Sequence, residues 1–318
     1  MSPIAIGIHG GCGTLDQSLM SEAEWAEARQ HLADALKAGW MLLRHGASSV
    51  DAVEAAVVVM EDSWHFNAGY GAALNAAREH ELDASIMDGA TLGGGAVCAA
   101  HRIRNPVRAA RAVMEKSTSV LFAAGAADDF AEACGLDMVP NSYFTTERRV
   151  QALASLKARA ATGTIQMASE AEKHGTVGAV ALDTAGNLAA ATSTGGFNNK
   201  PVGRVGDTPI LGAGTYARNG VCAVSGTGQG EVFIKRAAAY DVAARMMYAR
   251  QSLDEATRAL VFDTLASHKI GAGMVACDAQ GNVHAPYNTL GMYRGWVTGD
   301  GQCTVATHAQ EFKLGRLS

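Results

Sequence analysis

Thr176 stands where the polarity of the chain changes. The polar stretch Ser169-Glu170-Ala171-Glu172-Lys173-His174-Gly175 precedes it, and the apolar run Val177-Gly178-Ala179-Val180-Ala181-Leu182 follows. A threonine at such a boundary is a candidate for a concealed N-terminus. Cutting the Gly175–Thr176 peptide would give Thr176 a free α-amine with a reference pKa of about 8, able to take the proton of its own hydroxyl. The β-branch restricts χ1 and holds that hydroxyl in one direction. Gly175, without a Cβ, would tolerate the close, strained approach of the hydroxyl to the preceding carbonyl. Read locally, the common pair Gly-Thr is simply the plain start of a strand.

Three further clusters carry chemistry. Ala191-Thr192-Ser193-Thr194-Gly195-Gly196 ends a strand that should return beside the one led by Thr176, so Thr194 can reach the Thr176 hydroxyl. Gly203-Arg204-Val205-Gly206-Asp207 sets an arginine and an acid three residues apart between glycines. Arg204 suits a carboxylate by a two-pronged, charge-assisted bond and Asp207 suits an ammonium, together an amino-acid head group. An exposed ion pair is the plainer alternative. Ser225-Gly226-Thr227-Gly228-Gln229-Gly230-Glu231 precedes a helix. Its amides either hold a phosphate or, with the Thr227 side chain and the Gly228 N–H, form an oxyanion hole. Lys235 does not complete a phosphate-loop pattern. His80-Glu81-Leu82-Asp83 begins like a zinc motif, but Ala84 breaks it and no other His/Asp/Glu spacing reads as a metal set, so catalytic zinc is not expected.

The elements that must position these residues are legible in outline. Ile4–His9 reads as a strand ending in a loop, Gly10-Gly11-Cys12-Gly13, which lacks the following helix of a dinucleotide site. Helices are predicted from the Ser21 capping box to about His45, and over about 50–62, 106–115 and 126–134. Glu81–Met87 alternates as a half-buried strand, with Ala96–Ala100 as its neighbour. The stretch 151–175 begins helical and reads as a mobile connector. Two hairpins repeat an Asp-x-x-Gly-Asn turn, at Asp183 and at Asp278. A third is expected between Ile210–Tyr216 and Val221–Ser225, followed by helices over 231–249 and from the Ser252 capping box to about 267. Strands with helices on either side suggest a layered sandwich.

With 318 residues, 36 glycines and only 6 prolines, the chain can bury a sizeable core through tight turns and close backbone approaches. A net charge of −5 without a basic cluster makes nucleic acid and anionic membranes poor partners. Six scattered cysteines suit free thiols, and Met1-Ser2-Pro3-Ile4 has no signal-peptide character, so a soluble, cytoplasmic protein is expected.

Together the blocks resemble the plant-type L-asparaginase / isoaspartyl aminopeptidase family of N-terminal nucleophile hydrolases over nearly the full length. The likeness rests on Ile8–Gly13, Phe66-Asn67-Ala68-Gly69-Tyr70-Gly71, Glu81–Gly89, Gly175–Asp183, Ala191–Gly196, Gly203–Asp207 and Ser225–Glu231. The resemblance implies an α+β fold, a four-layer αββα sandwich. It implies one domain, 1–318, that cuts itself into 1–175 and 176–318. It makes Thr176 the nucleophile, Thr194 its hydroxyl partner, Arg204 and Asp207 the readers of the α-carboxylate and α-amine, and Thr227 with Gly228 the oxyanion site, Gly230 lying on the substrate side. Asn67 would hold the nucleophile region. A structural sodium ion would sit on the main-chain carbonyls of Met60, Glu61, Ser63, Phe66, Ala68 and Tyr70. The implied substrates are L-asparagine and isoaspartyl dipeptides, and the implied assembly is a homodimer of cleaved protomers. Gly175 at the cleavage point, rather than the aspartate usual in glycosylasparaginases, favours this branch. A glycosylasparaginase-like hydrolase and a non-catalytic anion-binding protein are the alternatives.

Overall fold

The computed structural model describes residues 3–13, 15–161 and 175–317; of the connector expected over 151–175, residues 162–174 lie outside these described residues. Two antiparallel-rich sheets lie face to face. The larger has nine strands in the order β13-β12-β11-β1-β5-β6-β2-β3-β4. These are β1 (Ala5–Gly13), β2 (Leu82–Asp88), β3 (Gly94–Ala100), β4 (Leu121–Ala123), β5 (Thr176–Leu182), β6 (Leu188–Thr194), β11 (Gly291–Val297), β12 (Gln302–Ala306) and β13 (Glu311–Arg316). Among the described strands of this sheet only the pair β3–β4 is parallel. The smaller sheet runs β10 (Val283–His284), β9 (Ala272–Asp278), β8 (Cys222–Gly228), β7 (Thr215–Arg218).

Helices α1 (Glu22–Arg44), α2 (Ser49–Glu61) and α3 (Pro106–Lys116) cover the outer face of the large sheet. On α1, Trp25, Leu32, Leu36, Trp40 and Leu43 form the buried stripe, each such side chain contributing about 1.5–3 kcal/mol on leaving water. Capping boxes at Ser21–Glu24, Ser48–Asp51 and Ser252–Glu255 satisfy the first amides of their helices. Helices α4 (Ala124–Ala133) and α5 (Glu147–Ala161) complete the first half. On the other side α6 (Gly230–Arg236), α7 (Ala238–Tyr248) and α8 (Leu253–Arg258) follow β8, with α7 and α8 packed on the small sheet. The result is the expected αββα sandwich. One apolar core lies between the large sheet and α1–α3, and a second lies between the sheets and under α7 and α8.

Several local expectations are corrected by this packing. Strand β1 does not stop at His9. It continues through Gly10–Gly13 with a register shift between His9 and Gly11, pairing on to β11. β2 is buried on both faces rather than one, because it lies inside four layers. The hairpin expected from Ile210 starts only at Thr215, since 210–214 form turns. The helix expected over 231–249 breaks at Ala237, which is left-handed (φ 47°). There the amides of Ala239 and Tyr240 donate to the carbonyls of Ala213 and Gly212 instead of continuing α6. The helix after Ser252 loosens into a π-helical turn over Ala259–Leu265. Strands β4, β11, β12 and β13 had no counterpart in the sequence reading. Both Asp-x-x-Gly-Asn turns form as expected: Asp183 Oδ1 accepts the amides of Ala185 and Asn187, and Asp278 Oδ1 those of Gln280 and Asn282.

Candidate active site

The adjacent central strands β5 and β6 set Thr176 directly opposite Thr194. The Thr176 hydroxyl donates to Thr194 Oγ1 at 3.2 Å. Thr194 in turn donates to the carbonyl oxygen of Gly175 at 3.2 Å and accepts the Gly196 N–H at 3.0 Å. One hydroxyl thus touches both the Thr176 side chain and the carbonyl of the peptide bond before it.

The backbone around that peptide is crowded. Gly11, at the β1 irregularity, has φ +104°, and a Cβ there would lie 2.7 Å from Gly175 Cα and 3.1 Å from Thr176 N. The glycine run expected to be a loop is a bulged strand whose missing side chain makes room for the Gly175–Thr176 bond. Gly175 is not left-handed, so close approach rather than unusual backbone geometry is what a glycine serves there. A Cβ on it would lie 2.7 Å from Asn67 Cβ. Asn67 is itself fixed: Nδ2 donates to the Gly196 carbonyl at 2.6 Å, Oδ1 accepts the Ala73 amide at 2.6 Å, and its own carbonyl accepts Gly195 N–H at 3.0 Å.

Thr176 and Thr194 open onto a cavity of about 280 Å³ shared with Phe197, Arg204, Asp207, Gly228 and Glu231, among others. The Arg204 guanidinium lies 4.8 Å over the Phe197 ring, and its Nε donates to Glu231 Oε1 at 2.9 Å. Asp207 is buried, and its Oδ2 has no hydrogen-bond partner among the described residues. Burial raises its pKa to about 7, although its own amide and the nearby Arg204 charge pull the other way. A Cβ on Gly230 would lie 2.8 Å from Asp207 Oδ1 and 3.0 Å from Arg204 Nη2, so only a bare backbone passes between the pair. Gly228 lines the cavity; the buried Thr227 hydroxyl, also without a partner among the described residues, lies on the same face of β8 as Ser225, toward the large sheet.

Residues that sequence reasoning missed hold this arrangement. Lys200 is fully buried, donates to the Glu81 carbonyl at 2.9 Å and lies 3.8 Å from Glu81 Oε2. Glu81 Oε1 accepts the Gly203 N–H at 2.8 Å, anchoring the loop that carries Arg204. The His-Glu-Leu-Asp run, which begins like a zinc motif, thus supplies buried acids to a buried lysine, and two acids in an apolar strand are the signal in the sequence. Behind Thr176, His9 Nε2 meets Ser225 Oγ at 2.9 Å, Ser225 meets Thr192 at 2.7 Å, Thr192 meets Thr215 at 2.5 Å, and Ser85 donates to Thr215 at 2.8 Å. This chain of buried groups joins the two sheets. Burial lowers the His9 pKa to about 3, partly offset by the Thr176 backbone, so its ring is neutral. Glu61, at the end of α2, accepts the Ser193 hydroxyl at 2.6 Å and the Val107 amide at 3.0 Å.

A sequence profile described as asparaginase matches residues 1–307. The chain belongs to the asparaginase family. The fold of this asparaginase-family chain is accordingly the N-terminal nucleophile hydrolase sandwich. It is 46% identical over 299 residues to the isoaspartyl peptidase of Escherichia coli (strain K12), covering 93% of each chain. To the probable isoaspartyl peptidase/L-asparaginase 2 of Arabidopsis thaliana it is 38% identical, covering 95% of this chain and 98% of that protein. The isoaspartyl peptidase/L-asparaginase of Homo sapiens shares 46% over 236 residues, 74% of each. Among the described residues of this family member no helix is long and apolar enough to cross a membrane.

Proposed function

We propose that this protein cuts itself between Gly175 and Thr176 and then hydrolyses the β-carboxyl amide of isoaspartyl dipeptides and L-asparagine, releasing L-aspartate. The observation that carries the reading is the single cavity holding both the Thr176 hydroxyl and the Arg204–Asp207 pair. A nucleophile beside a carboxylate reader and an ammonium reader is what a β-aspartyl amide needs, since both substrates share that head and differ only in what leaves.

In the first stage Thr176 Oγ1 attacks the Gly175 carbonyl carbon. Thr194, already donating to that oxygen, stabilises the developing oxyanion. The C–N bond breaks, the hydroxyl proton ends on the Thr176 nitrogen, and water hydrolyses the resulting ester to leave a Gly175 carboxylate and a free α-amine. In the second stage that amine accepts the hydroxyl proton and Oγ1 attacks the substrate's β-carbonyl carbon. Thr227 and the Gly228 N–H face the new oxyanion, Arg204 and Asp207 hold the head group, and the amine returns the proton to the leaving nitrogen. Water then releases aspartate from the enzyme ester.

A sodium ion on the carbonyls of Met60, Glu61, Ser63, Phe66, Ala68 and Tyr70 belongs to the same proposal. What supports it is that the segment after α2 folds back on the end of that helix, the Tyr70 amide donating to the Glu61 carbonyl at 2.7 Å. Oxygen-only donors suit a hard cation. An unchanged Tm after exchange of sodium for choline would argue against the ion. We further assign the protein to a reducing, cytoplasmic setting, which suits its six free cysteines. The proposed assembly is a homodimer of cleaved protomers, which a single-protomer mass by light scattering would exclude.

Intact-mass measurement during incubation tests the central claim. It should show the 318-residue chain giving way to fragments 1–175 and 176–318 as hydrolysis of an isoaspartyl dipeptide rises in parallel. Full activity from an intact chain would refute it.

A further inference from the structure

We propose that Glu27, His31 and His65 form a site for a divalent transition-metal ion of the zinc type, separate from the hydrolytic cavity. Glu27 and His31 sit one turn apart on α1, and His65 lies in the segment after α2. Glu27 Oε2 is 3.5 Å from His65 Nε2, and Glu27 Oε1 is 3.8 Å from His31 Nε2. One donor atom from each of the three residues lies within 4.8 Å of the others, and the two imidazole centroids are 5.1 Å apart.

These spacings match a coordination shell that has yet to tighten. Donors at about 2.0–2.2 Å from a tetrahedral zinc are about 3.3–3.5 Å from one another. The three donors, up to 4.8 Å apart, must draw closer by as much as about 1.3 Å, a movement that falls to Glu27 and His31, whose side chains are 48% and 32% exposed. His65, by contrast, is fixed. Its side chain is wholly buried, and the Trp64 ring stacks on it with centroids 3.9 Å apart.

An independent observation points to a ligand. Among the described residues His65 Nδ1 has no hydrogen-bond partner, and Nε2 has only the long 3.5 Å contact with Glu27, a costly condition for a buried imidazole. A metal bond to Nε2, the nitrogen that faces Glu27, would satisfy one of the two. Two imidazoles and one carboxylate select zinc, nickel or copper over sodium, magnesium or calcium, which prefer oxygen alone. The exposed side of the site leaves water as the remaining ligand.

None of the three residues lines the cavity at Thr176. His65 is two residues from Asn67, so an ion here would clamp α1 to the segment that braces Gly175 and Gly196. The pair on α1 has helical i,i+4 spacing, but its third member is far along the chain, which is why spacing alone revealed no metal set.

Calorimetric titration of chelator-treated protein with zinc chloride, in sodium-containing buffer, tests the site. One saturable event per chain is expected, with a raised Tm. Cobalt chloride should give the visible bands of tetrahedral Co²⁺, and magnesium chloride should give no response. The paired change Glu27→Gln with His31→Asn, confined to partly exposed positions, should weaken zinc binding at least tenfold. It should leave dipeptide hydrolysis and the metal-free Tm at wild-type values. Absent zinc binding in the wild type, equal binding in the paired variant, or an equal response to magnesium would each overturn the assignment.

Discussion

Thr194 donates its hydroxyl to the Gly175 carbonyl while accepting the hydroxyl of Thr176, both at 3.2 Å. A single side chain is therefore placed to polarise the bond to be cut and to orient the group that cuts it. The contact exists because β5 and β6 pair in a register that puts the two threonines face to face.

Removing that donor without changing shape isolates its role. Thr194→Val should slow self-cleavage by about 100–1,000-fold, the usual loss for one oxyanion donor. Thr176→Ala should abolish cleavage and hydrolysis while the protein still folds. The fraction cleaved against time, read by mass spectrometry, checks both. Wild-type cleavage in Thr194→Val would remove Thr194 from the mechanism.

Gly11→Ala should obstruct the same step from the opposite side. The new methyl would meet Gly175 Cα at 2.7 Å in a backbone of φ +104°. The strain should cost about 1–3 kcal/mol in urea unfolding, and cleavage should slow or stop. Wild-type stability and processing would show that β1 does not press on the scissile bond.

Arg204→Ala should remove a charge-assisted pair of about 1.5–3 kcal/mol. That corresponds to a loss of about 10–150-fold in kcat/KM, similar for asparagine and an isoaspartyl dipeptide. Arg204→Lys should recover only part, since a point charge does not reproduce the planar fork. The wild type should refuse an α-linked aspartyl dipeptide. Equal cleavage of α- and β-linked dipeptides would contradict head-group recognition.

Asp207 gives a pH dependence with a definite sign. Its pKa is raised by burial from 3.8 to about 7, so it must be ionised against that shift to hold an ammonium. KM for either substrate should therefore rise as pH falls through about 7. The effect on stability runs the other way. The protonated side chain favours the fold below its unfolded pKa, and that contribution is lost as pH rises through about 7. Asp207→Asn should raise KM on the order of tenfold or more and flatten this part of the stability profile. A KM that does not change across neutral pH would place the ammonium elsewhere.

Local sequence determined a good deal of this molecule. The Ser21 and Ser252 capping boxes start their helices, and the Asp183 and Asp278 turns fold on side-chain bonds to amides two and four residues on. The Thr176–Thr194 pairing follows from one such hairpin, so the core of the candidate site could be read from the chain. Arg204 and Asp207 were also legible, because an arginine and an acid among glycines have a short list of uses. The rest needed the fold. Gly11 and Gly175 meet across two strands, and His9, Ser225, Thr192, Thr215 and Ser85 come from five separate strands. Glu81 finds Lys200, and Glu27 finds His65, across long stretches of folded chain. Such contacts leave no periodicity in the sequence, since each residue keeps its local pattern whichever distant partner it meets. The tertiary structure alone decided them, by packing two sheets so closely that polar groups between them had only one another to bond.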